Sequence, residues 1–205
     1  MRRKVQVRRS HAERREESEQ RLLTAAAELI SAEGFGAASL ERVGKLAGYS
    51  RGLASQKFGS KEGLIRAVIH FLAARTQSAT AQRRAQCRSA TEEILAYADT
   101  VFTFIETDHL TRAFWTMMAA AIANRSPEQE MFLSEHQTAK RLLTEMIVRG
   151  QEAGHISTSL DAEAAATSIG CVLLGVGFEC LLDPDLQIDR VKSVALRSIA
   201  RALAC

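Results

Sequence analysis

Four polar side chains fall together in the short stretch RGLASQKF: Arg51, Ser55, Gln56 and Lys57. At helical spacing they point outward while Leu53, Ala54 and Phe58 point inward. Their chemistry is that of reading nucleic acid. Glutamine pairs bidentately with adenine, and lysine with guanine. Gln56 and Lys57 are therefore the candidates for base-edge or adjacent backbone contact. Arg51, Ser39, Ser50 and Lys61 suit phosphate contact, which positions a protein without reading sequence. Arg42, Gly52 and Ser55 complete the same surface. Catalytic chemistry has no comparable pattern. The histidines at 11, 70, 109, 136 and 155 lie apart, with no HExxH, GxSxG, Walker loop or GxGxxG. Asp108 and His109 are sequence neighbours and face apart on a helix. No enzyme activity, metal or cofactor is expected.

The elements that must position these side chains are short helices around a glycine turn. Ser39 is a good N-cap for a first helix with Leu40, Val43, Leu46 and Ala47 on one face, and Glu41 suits its positive end. Gly48 stops that helix. Ser50 caps the second, Arg51 to Phe58. Two helices joined by a glycine turn form the helix-turn-helix pattern, whose second helix lies in a DNA major groove. An ordinary helical hairpin with a solvated face is the alternative. Gly59 ends the second helix and Ser60 caps a fourth, with Leu64, Ile65, Val68, Phe71 and Leu72 on its apolar side. Upstream, Leu22, Ala26, Leu29 and Ile30 face inward on a first helix that stops at Gly34-Phe35-Gly36.

The run from Arg21 to Ile69 resembles the N-terminal domain of TetR-family transcriptional regulators. The residues that carry the likeness are Ala26, Glu33-Gly34-Phe35, Ser39, Val43, Ala47-Gly48, Ser50, Gly52 and Phe58-Gly59-Ser60-Lys61. Two departures stand out. Ser55, Gln56 and Lys57 precede the Phe-Gly-Ser-Lys run where many members have Tyr or His. Gly44 replaces a common alanine, at a helix-propensity cost of about 1 kcal/mol. The resemblance implies an all-helical regulator with a DNA-binding head and a larger ligand-binding and dimerisation body.

The rest of the chain is consistent with that expectation. Strand signals are few among the 205 residues, and Ala, Leu, Glu and Arg favour helix. No run of about 18 apolar residues stands out, so no membrane span is expected. The charged N-terminus is unlike a secretory signal, which leaves a cytoplasmic location as the expectation. Cys87, Cys171, Cys180 and Cys205 are widely spaced and read as reduced thiols, not a disulfide frame or zinc cluster. Residues 1–61 carry a net charge of +6 within a chain of net +3, so a basic N-terminal part sits on an acidic body. Phosphate binding needs such a distribution. Residues 1–19 read as a basic arm, disordered to about Ala12 and then extending the first helix; the arm either reaches DNA or stays solvated. Residues 20–62 read as the helix-turn-helix domain. Residues 63–205 read as a linker helix plus the effector-binding and dimerisation domain.

About nine helices emerge from the periodicity. In the body, Ser126-Pro127-Glu128 reads as a helix start, with Ser as cap and Pro in the first turn. Phe102, Phe114, Trp115, Met118, Phe132 and Met146 could surround an effector pocket. Thr103, Thr116, His109, His136 and Gln137 are its polar candidates. The alternative is that these apolar residues are simply core. By the resemblance, ligand binding shifts the linker helix, changes the separation of two heads and releases DNA. The last two helices would pair across a two-fold axis. Helix 164–182 is apolar around much of its circumference and carries Gly170, Gly175 and Gly177, which supports such pairing. Leu173, Leu174, Gly177, Phe178 and Leu181, with Val194 and Ile199 from the last helix, are the interface candidates; a central core helix in a monomer is the alternative. Paired recognition helices about 34–36 Å apart would read a palindrome. The expected protein is a repressor that binds operator DNA as a homodimer and responds to an unidentified small-molecule effector. A DNA binder with no effector is the other reading.

Overall fold

The computed structural model describes residues 10–204. Among them are nine α-helices, one short 3-10 turn and no strand. The helices are α1 (His11–Glu33), α2 (Leu40–Ala47), α3 (Arg51–Phe58), α4 (Lys61–Arg84), α5 (Ala90–Thr107), α6 (Thr111–Asn124), α7 (Gln129–Glu152), α8 (Ala162–Leu182) and α9 (Ile188–Leu203). The 3-10 turn, Phe35–Ala37, joins α1 to α2. Both the fold class and the helix order are those anticipated from the sequence.

Local chemistry sets the boundaries of the head. Ser10 and Glu13 form a reciprocal capping box at the start of α1. The helix therefore runs unbroken from His11 through residue 19, so His11 and Ala12, expected to be disordered, are helical. The basic residues at 2, 3, 4, 8 and 9 lie outside the described part of the chain. Ser39, Ser50 and Ser60 each accept a backbone N–H from three residues on, at 3.2, 3.2 and 3.1 Å. Gly48 closes α2 in the left-handed region, φ 78° and ψ 27°.

One buried cluster runs from the head into the body. Leu22, Ala26 and Ile30 of α1, Val43 and Ala47 of α2, Ala54 of α3 and Leu64, Ile65 and Val68 of α4 are continuous with Leu110, Ala113, Met117 and Phe132. A second cluster joins α5, α7, α8 and α9 around Ile94, Phe102, Leu143, Met146, Ile147, Ile169 and Ile199. Helix α4 contributes its buried residues to the first cluster and reaches from head to body. Its start abuts α3, and its last turns pack on α5.

Several sequence expectations need correction. Leu46 is 52 % exposed; Gly44 takes the buried place on α2, where it lies close against the α2–α3 turn. Ile122 is also half exposed. The helix start expected at Ser126-Pro127 begins instead at Gln129. Ser126 is used to close α6: its N–H returns to the Ala121 carbonyl at 3.0 Å, after Arg125 turns left-handed at φ 49°. Helix α8 is, by length and composition, apolar enough to cross a membrane, with mean hydropathy 1.8. The alanines, glycines and hydroxyl residues among its leucines hid that run. It packs against α5, α6, α7 and α9 and carries Glu163 and Glu179.

Candidate nucleic-acid interface and effector cavity

The α2–α3 turn is built tightly. The Tyr49 N–H reaches the Gly44 carbonyl at 2.8 Å. A Cβ on Gly44 would sit 3.1 Å from the Ser50 carbonyl group, so glycine here admits a close turn. The Arg21 guanidinium lies over the Tyr49 ring at 5.2 Å and ties the turn to α1. Helix α3 then presents Arg51, Gly52 and Gln56 to solvent, with Ser55 half-buried at their edge and Ala54 fully buried beneath.

Lys57 is not part of that open face. Its side chain is only 8 % exposed, and its ammonium donates to the Arg15 carbonyl at 2.8 Å and to Glu19 Oε2 at 3.1 Å. A residue expected to contact DNA instead fastens α3 to α1. Its position near the end of a short helix brings it against the neighbouring helix, which spacing alone could not show. Arg42 is likewise engaged. It donates to Glu33 Oε1 at 2.6 Å and to the Ala37 carbonyl at 3.3 Å. That hydrogen bond holds the Glu33 carboxyl below its ordinary range and raises Arg42. Lys61 donates to the Gly36 carbonyl at 3.2 Å and lies 5.8 Å from the Phe35 ring centre. Ser39 and Ser50 serve as caps, so their hydroxyls stand at helix N-termini where phosphate oxygens are well received.

In the body a cavity of about 500 Å³ opens between α4, α5, α6, α7 and α8. That volume falls within the range that small-molecule sites occupy. Phe114, Trp115, Met118 and Phe132 line it as expected. The aromatic rings meet edge to face, with Phe114 5.6 Å from Trp115 and 5.1 Å from Phe132. Phe102 and Met146 do not line it; both are wholly buried in the second core cluster. Of the polar candidates only His136 reaches the wall, with its ring resting on Gly170. Thr103 accepts from Lys192 at 2.9 Å, Gln137 and His109 are exposed, and Thr116 donates to its own helix.

The sequence reading passed over one side of this cavity. Leu72, Thr76, Thr80 and Arg84 form an i, i+4 row on α4, and Tyr97, Val101, Phe104 and Ile105 form the facing row on α5. The threonines hid the first row because they are polar, although each hydroxyl is satisfied by its own helix.

The proposed pairing face also shifts. Leu173, Gly177 and Ile199 are buried within the protomer, and Leu174, Phe178 and Leu181 pack partly against the first cluster. Val194 is 56 % exposed. The outward stripe of α8 is Ser168, Cys171, Val172, Gly175, Glu179 and Leu182, beside Val194 on α9. Cys87 and Cys180 are half-buried free thiols whose burial pushes them up, away from the reactive thiolate. No group of three or more potential metal ligands occurs among the described residues.

A helix-turn-helix head joined by a shared helix to a cavity-bearing helical body defines the class: a DNA-binding transcriptional regulator. Comparison with known proteins gives the family. Residues 22–68 match the family model for bacterial regulatory proteins of the tetR family. The chain is 24 % identical over 188 residues to the HTH-type transcriptional regulator BetI 1 of Chromohalobacter salexigens, covering 89 % of each. The fold matches a putative TetR-family transcriptional regulator from Rhodococcus sp. at TM-score 0.80 and 19 % identity, over 92 % of this chain and 100 % of that one. It also matches SmeT, the repressor of the Stenotrophomonas maltophilia multidrug efflux pump SmeDEF, at TM-score 0.76 and 21 % identity, over 92 % and 93 %. A SmeT–triclosan complex has the same fold. These matches support a TetR-family regulator: the family model covers residues 22–68, and the fold of the whole chain is shared with regulators of that family.

Proposed function

We propose that this regulator is a repressor, binding a palindromic operator in the cytoplasm as a homodimer and released by a small apolar ligand held in the body. The observation that carries this reading is the path of α4. Its first turn abuts the end of α3, and residues 72–84 form a wall of the cavity. A ligand that favours one placement of that wall thereby favours one placement of the head, provided its affinity for the two states differs. The apolar, aromatic lining suits such a ligand, and SmeT, of the same fold, takes triclosan. Under this reading residues 20–62 form the DNA-binding unit and residues 63–205 the sensing and pairing unit.

Base reading then falls to Gln56 and Arg51, because Lys57 is committed to α1. Gln56→Ala should relax preference at one position per half-site by about 1–3 kcal/mol. Competition binding against single-base operator variants checks this; equal loss on every site would refute the assignment.

The experiment that tests the function is selection of bound duplexes from a random DNA pool at physiological salt. Recovery of one palindromic site supports the sequence-reading dimer and supplies the probe for ligand release. Recovery of no motif favours a sequence-blind DNA binder without an effector.

A further inference from the structure

The cavity is lined by aromatic rings and by polar side chains, and some of the polar ones carry unused hydrogen-bond donors. Among its cationic side chains, Lys140 is committed to Glu163 at 2.8 Å and Arg141 donates to Thr138 at 3.0 Å. The Arg84 side chain makes no hydrogen bond among the described residues. Its Nε is buried without a partner, and the nearest carboxylate oxygen, Glu93 Oε2, stands 3.8 Å away, beyond hydrogen-bond reach. That oxygen already accepts from Arg149 at 2.8 Å. Tyr97 lies one helical turn along α5 from Glu93, so the arginine that leans toward Glu93 comes up beside the tyrosine. Tyr97 also lines the cavity, and its hydroxyl makes no hydrogen bond among the described residues. Burial pushes its phenol up to about 12, so the hydroxyl keeps its proton and stays a donor.

Two carboxylates line the cavity: Glu145 is exposed to solvent, and Glu135 is already occupied. Glu135 accepts from Gln77 at 2.8 Å through Oε2, and its Oε1 stands 3.9 Å from His70 Nδ1. A cationic guest would have to compete for the satisfied carboxylate of Glu135 or settle for the solvated one of Glu145. An oxygen acceptor would meet donors with nothing else to bond. Bonds from a guanidinium to an ionised acceptor are about twice as strong as neutral ones.

We propose that the cavity takes an effector with an apolar aromatic body and an anionic oxygen headgroup, of which a carboxylate is the simplest, held by the Arg84 guanidinium and the Tyr97 hydroxyl. The body lies against Phe114, Trp115 and Phe132. This rests on the effector-cavity reading above and names the ligand class that the reading leaves open.

Trp115 is the single tryptophan of the chain and lines the cavity, so its emission reports occupancy without DNA. The probes are phenylbutyrate, phenylbutyramide and phenylbutyltrimethylammonium, titrated by calorimetry with Trp115 emission followed in parallel. The acid should bind at least about tenfold more tightly than the amide. Arg84→Gln should remove that advantage, with amide binding within about twofold of the parent; Arg84→Lys should keep part of it. Tyr97→Phe should weaken the acid by about fivefold. Unchanged melting midpoints show that the variants fold. Equal binding of acid and amide, or tightest binding of the ammonium with no response to Arg84→Gln, would overturn the anionic assignment and leave the cavity reading intact. Absence of binding by all three, with Trp115 emission unmoved, would overturn the cavity reading itself.

Discussion

Gly177→Ala should destabilise the protein by about 1–3 kcal/mol and change the emission of Trp115. A Cβ at this position would lie 2.5–2.6 Å from Cε2, Cδ2 and Cζ2 of the indole. Two neighbouring rings confine it, so it can retreat only toward the cavity. It is 7 % exposed and meets Phe114 at 5.6 Å on one side and Phe178 at 5.8 Å on another. Alanine also gains helix propensity over glycine, by up to about 1 kcal/mol. Over-packing a filled core costs more than that, so the net sign is unfavourable. Chemical denaturation followed by far-UV circular dichroism gives the stability, and Trp115 emission gives the local change. A midpoint that rises, with emission unaltered, would mean that the α6–α8 contact is looser than the geometry requires. The substitution also moves the cavity wall, because Trp115 lines it. Affinity for phenylbutyrate should fall with stability.

The same glycine shows where the sequence was legible and where it was not. The head could be read almost residue by residue, because serine caps, glycine stops and helical spacing are local signals. Ser39, Ser50 and Ser60 each cap the helix that their position announces. What escaped was any property set by a distant neighbour. Lys57 looked like a free cation on the recognition helix, yet its partners, Arg15 and Glu19, lie some forty residues earlier. Phe102 and Met146 have the composition of a pocket wall, but α7, α8 and α9 bury them in a core. On α8 the apolar residues encircle the helix, so periodicity could not separate the face against Trp115 from the face against solvent. Gly177 looked like a place for another copy to approach, and the indole ring already occupies it.

Gly175, two residues earlier, lies on the opposite side, and the largest effect on DNA binding is expected there. A Cβ at Gly175 meets nothing within 4 Å in the protomer. Arginine there should leave the fold intact and gain helix propensity over glycine. Around it, Val172 is 37 % exposed, Leu182 81 % and Val194 on α9 56 %. Large apolar side chains gathered on one face mark an association surface. If two copies pair through α8 and α9, a long cation at Gly175 buries a charge where the helices come closest. Gly175→Arg should therefore give a folded monomer. Operator affinity should fall by at least about a hundredfold, because each head then binds alone and loses the effective concentration its partner supplied. Equilibrium sedimentation and operator titration at fixed salt measure the two effects, and phenylbutyrate binding, which needs only one protomer's cavity, should survive. A variant that stays dimeric with full operator affinity would exclude this face from the interface and send the search for the two-fold axis to another surface. A monomer that kept full affinity would separate dimerisation from operator recognition, leaving one exposed face of α3, with Arg51 and Gln56, to supply all the specificity.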